Sequence, residues 1–187
     1  MKKNSINVFS IRQLLQSEFC QGPDGSGILD SQIYHYIKLP RKGGNVQIMQ
    51  LLISNSANVD EKYNDGETPL HIAALRGHVQ AVQLLISNNA HVNEKIHCGQ
   101  TPLHYTAIGG HVQAAQLLIS SNANVDGKNK FGQTPLHLAV FQQDNLPVAR
   151  LMIDNNANIH EKDNDGRTPA LYVQCTRPIL LHTFVNL

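Results

Sequence analysis

The sequence predicts an all-α solenoid of helix-turn-helix units joined by β-hairpin fingers, with about four to five repeats including degenerate terminal caps. Three observations predict it. First, the phrase Thr-Pro-Leu-His opens at Thr68, Thr101 and Thr134, and a weaker copy, Thr-Pro-Ala-Leu, opens at Thr168. The spacings are 33, 33 and 34 residues, a period at which stacked-repeat architectures occur. Second, turn-forming residues such as Asn64-Asp65-Gly66 punctuate the chain just before each copy. Third, two short apolar runs at helical spacing follow each copy. Isolated helices under ~12 to 15 residues are marginal in water, so such units gain their stability by packing on one another.

Along the chain, Ile6, Phe9, Leu14, Leu15 and Phe19 predict a modestly amphipathic helix, and Gly22-Pro23-Asp24-Gly25-Ser26-Gly27 a loop. Ile33, Tyr34, Tyr36 and Ile37 predict a short helix ending before Pro40, with Arg41-Lys42-Gly43-Gly44 as connector. Residues 1–43 are thus expected to form an N-terminal helix, a Gly-rich loop and a degenerate capping segment. Residues 44–187 are expected to form the stack, in units of about 30–62, 63–95, 96–128, 129–162 and 163–187. The first unit keeps its second helix (Val46, Met49, Leu52, Ile53) and its exit, Ala57-Asn58-Val59-Asp60.

The second unit is the most regular. Thr68 caps a helix whose first residue, Pro69, lacks an N–H that would have no partner there anyway. Gly77 stops that helix in the left-handed conformation. Val79, Val82, Leu85 and Ile86 then define a second apolar face ending near Asn89. Small Ala73, Ala74 and Ala107 let neighbouring units approach, while Leu70, Leu103 and Leu136 fill the seam. Thr101-Pro102-Leu103-His104 and Thr134-Pro135-Leu136-His137 repeat the start. His71, His104 and His137 share one register, where an imidazole can bond the capping threonine and the backbone of the next unit. The fourth unit carries one extra residue around Gln143-Asp144-Asn145 and lacks the stopping glycine, which places Pro147 in the first turn of its second helix. The fifth runs out at Leu187, with Pro178 starting a last short helix.

A hydrophobic content of 41% and a charged content of 16% suit a folded chain, and a formal net charge of +1 gives no basic excess of the kind that nucleic acid or an anionic membrane attracts. No apolar run approaches the ~20 residues of a membrane span. Cys20, Cys98 and Cys175 are odd in number and lack paired spacing, so reduced thiols and a cytoplasmic location are expected.

The motif Gly66-Glu67-Thr68-Pro69-Leu70-His71-Ile72-Ala73-Ala74, with Gly77-His78, Leu84-Leu85 and equivalents 33 residues on, resembles the ankyrin-repeat family from about Gly44 to the C-terminus. The resemblance implies L-shaped repeats whose fingers and first helices line a concave face. It also implies partner contacts at the finger tips and at the exposed end of the first helix. Carried onto this chain, those positions are Lys62, Asn64, Asp65, Glu67, Leu75 and Arg76; then Lys95, His97, Cys98, Gln100 and Ile108; then Lys128, Lys130, Phe131, Gln133, Phe141 and Gln142. Lys62, Lys95, Lys128 and Lys162 form a column one repeat apart, suited either to solubility alone, the reading favoured, or to an acidic or extended peptide. Leu75, Ile108, Phe131 and Phe141 are large apolar residues expected to face solvent and to serve as interface anchors. The resemblance also makes Asn93, one position after the exit valine, a candidate for asparaginyl hydroxylation.

Catalysis, a metal and a cofactor are not expected. His97 beside Cys98 lacks the second pair that a four-ligand zinc site needs. A fingertip offers no oxyanion hole for a cysteine nucleophile, and no Gly-rich phosphate loop is present. The function expected is a monomeric, non-catalytic scaffold for a protein or peptide partner. The alternative is an adaptor or host-directed effector whose N-terminal segment recruits a second machinery, such as a ubiquitin ligase subunit.

Overall fold

The computed structural model describes Ile33, Ile37 and residues 46–141 and 145–176, with the backbone alone for 173–176. The segments around Phe9, Gly22, Tyr34, Tyr36, Arg41, Gln142, Gln143 and Pro178 lie outside the described residues. Eight helices follow among the described residues: α1 (Val46–Ser54), α2 (Pro69–Arg76), α3 (Val79–Ser87), α4 (Pro102–Gly109), α5 (Val112–Ser120), α6 (Pro135–Phe141), α7 (Leu146–Asp154) and α8 (Pro169–Thr176). They form two layers. The first helices α2, α4, α6 and α8 pack successively against one another, and the second helices α1, α3, α5 and α7 do the same behind them.

The apolar residues that recur at 33-residue spacing meet in the seams. Leu70, Leu103 and Leu136 are fully buried in the first layer, and Leu52, Leu85, Leu118 and Met152 in the second. Ala73, Ala74 and Ala107 are fully buried between helices, where a larger side chain would hold them apart. Ile33 and Ile37 are both helical, one turn apart, and buried in the same core.

Each first helix starts and stops by the chemistry read from its ends. The Thr68 N–H donates to Nδ1 of His71 at 3.1 Å, and the Thr68 hydroxyl bonds the same nitrogen at 2.9 Å. Gly77 at φ 65 and Gly110 at φ 73 end α2 and α4 in the left-handed region. A Cβ on Gly110 would sit 2.2 Å from Oδ1 of Asn145, so this position excludes a side chain on two counts. Where the fourth unit lacks that glycine, Asn145 occupies the N-cap position of α7 without a side-chain cap bond, and Pro147 lies in its first turn. Its Nδ2 donates to the carbonyls of Ala107 at 2.6 Å and Ile108 at 3.0 Å. This replaces the link made one unit earlier by Nε2 of His111 to the Leu75 carbonyl at 2.9 Å. Replacing Asn145, itself 4% exposed, with Ala leaves those buried carbonyls unpaired. The expected loss is ~1–3 kcal/mol, measured by urea unfolding.

The fingers differ from the β-hairpins expected. Among the described residues no strand is present. Each finger is a tight turn closed by two backbone bonds, such as Tyr63 N–H to Glu67 C=O at 2.8 Å with Gly66 N–H to Tyr63 C=O at 2.7 Å, and Ile96 N–H to Gln100 C=O at 3.0 Å with Gly99 N–H to Ile96 C=O at 2.8 Å. One further bond joins each tip to the next: His97 N–H to Asp65 C=O at 2.9 Å, Lys130 N–H to Cys98 C=O at 2.9 Å, and Asn164 N–H to Phe131 C=O at 3.0 Å. A single backbone bond per junction, joined at the last one by Asn164 Nδ2 donating to the Lys130 carbonyl at 2.9 Å, holds the fingers in register without making a ladder.

Candidate protein-binding surface

The finger tips and the first-helix layer present one continuous row of residues, because each tip is bonded to the next and each first helix to its neighbour. Behind the row runs a spine of three imidazoles. Nε2 of His71 reaches the Gln100 carbonyl at 3.3 Å, that of His104 the Gln133 carbonyl at 3.1 Å, and that of His137 the Arg167 carbonyl at 3.0 Å. In each case Nδ1 accepts a backbone N–H from the capping threonine, so Nε2 carries the proton and the ring is neutral. Burial pushes the pKa of His71 and of His104 down to about 4, and lowers that of His137 as well. These histidines are structural links between units.

Of the positions carried over from the resemblance, Lys62, Asn64, Asp65, Arg76, Lys95, His97, Lys128, Lys130, Phe131, Phe141 and Lys162 are exposed. Glu67, Cys98, Gln100 and Gln133 are half-buried. Gln142 lies outside the described residues. Two of the four apolar residues expected to face solvent do not fully do so. Leu75 is half-buried and packs on the core, and Ile108 is also half-buried. Phe131 and Phe141 remain 60% and 57% exposed, and Phe141 lies edge-on to Tyr172 at 6.2 Å.

The lysine column is not a free cationic stripe. Lys62 pairs with Glu94 at 2.8 Å. Lys95 donates to the Lys128 carbonyl at 2.9 Å, and Lys128 to both the Lys162 carbonyl at 3.0 Å and Glu161 at 2.7 Å. The side chain is long enough to reach the following unit, so the periodicity that lines up the lysines also supplies Lys62, Lys95 and Lys128 with a carbonyl or carboxylate. The Lys62 ammonium holds the Glu94 carboxyl below its usual range, and Lys128 does so for Glu161.

Asn93 is similarly occupied. Its Nδ2 donates to the Asn122 carbonyl at 3.0 Å while its Oδ1 accepts the Asn124 N–H at 2.8 Å, although the residue is exposed. Asp60 and Asp126 accept the His91 and Asn158 N–H groups at the matching exits, both at 2.9 Å. Cys98 is a free, half-buried thiol, and no three His, Cys, Asp or Glu side chains converge among the described residues. No helix among them is long and apolar enough to cross a membrane.

Reasoning from the sequence missed the network at the fifth unit. The Tyr172 hydroxyl donates to Asp163 at 2.6 Å and accepts from Gln133 at 2.9 Å, while Arg167 bonds Asp163 at 3.0 Å, also pairs with Asp165, and lies 5.3 Å from the Tyr172 ring centre. Burial of Asp163 opposes ionisation, but the bonds from Tyr172 and Arg167 outweigh it and hold the carboxyl at about 2. The available signal was the tyrosine that follows the motif's fourth position in Tyr105 and Tyr172. Leu171, 39% exposed, stands where the other units place histidine, so a leucine replaces the outgoing link of the spine.

A family model of ankyrin repeats in three copies matches residues 89–163, and a second, of ankyrin repeats in many copies, matches residues 38–86. No curated protein matches the sequence.

Proposed function

Because the chain belongs to the ankyrin-repeat family, whose members are general protein–protein interaction modules, we propose that it is a non-catalytic scaffold holding a protein or peptide partner on its row of finger tips and first helices. The observation that carries this reading is the pair Phe131 and Phe141. Both are more than half exposed, whereas the other large apolar side chains among the described residues are buried or half-buried, save Val112 and Leu171. Desolvating two aromatic rings is the usual core of a protein interface, and a near-neutral chain gives no electrostatic reason to prefer nucleic acid. Within this reading, the helical turn that carries Ile33 and Ile37 caps the first unit, supported by the burial of both side chains.

The test is a Phe131→Ala, Phe141→Ala double variant. Partners captured by the native chain and identified by mass spectrometry should bind it at least ~30-fold more weakly, as loss of an interface hot spot implies. Thermal stability should change little, because neither ring is buried. Undiminished capture would remove both residues from the proposed surface.

A further inference from the structure

The repeat places two side chains opposite each other along the row, and in two of three junctions they bond. The residue just before the motif threonine is Glu67, Gln100 or Gln133, and the residue four positions after the next unit's threonine is Tyr105, Leu138 or Tyr172. Tyr105 donates to Glu67 at 2.8 Å, and Tyr172 accepts from Gln133 at 2.9 Å. Each of these tyrosines also stands edge-on to a spine histidine, at 5.3 Å from His71 and 5.4 Å from His137. At the middle junction leucine replaces tyrosine. Leu138 is half-buried against the core, and no side-chain bond to the Gln100 amide is present among the described residues.

We propose, resting on the binding reading above, that this interrupted junction is where an extended peptide segment of the partner is held by its backbone, with the Gln100 amide bonding one peptide group and Leu138 contacting the adjoining apolar side chain. A primary amide carries a donor and an acceptor side by side, which is the pattern that a single residue of an extended chain presents. A carboxylate offers acceptors alone. The amide is also held in place at its root. The Gln100 carbonyl accepts from Ile96 N–H at 3.0 Å and from His71 at 3.3 Å, so the backbone is already fixed and binding orders the side chain alone. Lys130, exposed at the following fingertip, meets no carboxylate among the described residues, which favours a segment carrying an acidic residue beside its apolar one. The flanking junctions cannot take this role, since Glu67 and Gln133 are already bonded to tyrosines.

The experiment selects a phage-displayed library of random dodecapeptides on the intact chain, then measures synthetic copies of the recovered peptides by fluorescence anisotropy. Leu138→Tyr should fit, because tyrosine occupies this register in the units on either side, and it should occupy the Gln100 amide. The expected result is a melting temperature equal to or above that of the native chain, with peptide Kd raised at least tenfold. Gln100→Ala should raise Kd similarly, and N-methylation of one backbone amide in the peptide should reproduce the loss. Peptides that are lost on the Phe131→Ala, Phe141→Ala chain but unaffected by Leu138→Tyr, Gln100→Ala and N-methylation would overturn this inference while leaving the broader surface intact. Failure to recover any peptide, or recovery of peptides that bind as helices, would overturn it too.

Discussion

Acidification from pH 7 to pH 4 is expected to unfold the stack in one cooperative transition. The cause lies in His71 and His104, each fully buried and locked neutral, with Nδ1 accepting a threonine N–H and Nε2 donating to the next unit's carbonyl. A proton added at Nδ1 would point at the N–H it now accepts from, so protonation breaks the cap as well as burying a charge. The folded pKa of each is lowered from 6.5 to about 4. The unfolded chain therefore binds the extra protons first as pH falls. The stabilisation is fully present above about pH 6.5, is lost progressively below it, and is exhausted near pH 4. At ~1.4 kcal/mol per pH unit per group, the two histidines together remove on the order of 6 kcal/mol, comparable with the whole stability of an ordinary domain. His137, shifted in the same direction, adds to the loss.

Above about pH 4.5 the effect is separable from carboxylate titration, since Glu94 and Glu161 are lowered from that value. Asp163, held at about 2, keeps its contribution throughout that window and loses it only below about pH 3.8. Urea midpoints measured by circular dichroism at pH 7, 6, 5 and 4 should fall continuously. A flat profile between pH 7 and 4.5 would show that the imidazoles take up protons without breaking their links.

Leu103→Ala is expected to cost ~2–5 kcal/mol, the range for truncating a fully buried leucine when the surroundings cannot collapse. Leu103 is 0% exposed on α4, the helix packed against both α2 and α6, so the void would open between three units at once. Because neither neighbour is stable alone, the loss should appear as a lower urea midpoint for the whole stack rather than a local softening. Destabilisation below ~1 kcal/mol would contradict the packing described for the first layer. Set beside Asn145→Ala, where one side-chain amide is removed, the comparison separates the contribution of burial from that of a polar link.

Most of the fold was legible because each unit repeats the same local solutions. Thr68-Pro69 starts a helix, Gly77 stops it, Asn89 at φ 63 ends the second, and the alternation of these punctuators every 33 residues admits little but a stack. The histidines were legible for the same reason: a residue that recurs in register beside a capping threonine has a partner that recurs too. The candidate surface was legible only in part. Phe131 and Phe141 are exposed as their positions imply, whereas Leu75 sinks onto the core and Ile108 is half-buried. The partners of Lys62, Lys95 and Lys128 were not legible because they lie about a full repeat further along the chain.

By itself, the sequence determined the period, the helix boundaries and the family, since these rest on conformational preferences that act within a few residues and recur unchanged in each unit. Which side chains remain free to meet a partner was decided by the tertiary structure alone. Lys95 bonds a carbonyl 33 residues away and Tyr105 a carboxylate 38 residues away, while Gln100 keeps its amide because leucine stands at 138 where tyrosine stands in the flanking units. Such bonds depend on the distance between neighbouring units and on which two side chains that distance brings together, and neither is encoded within a single repeat.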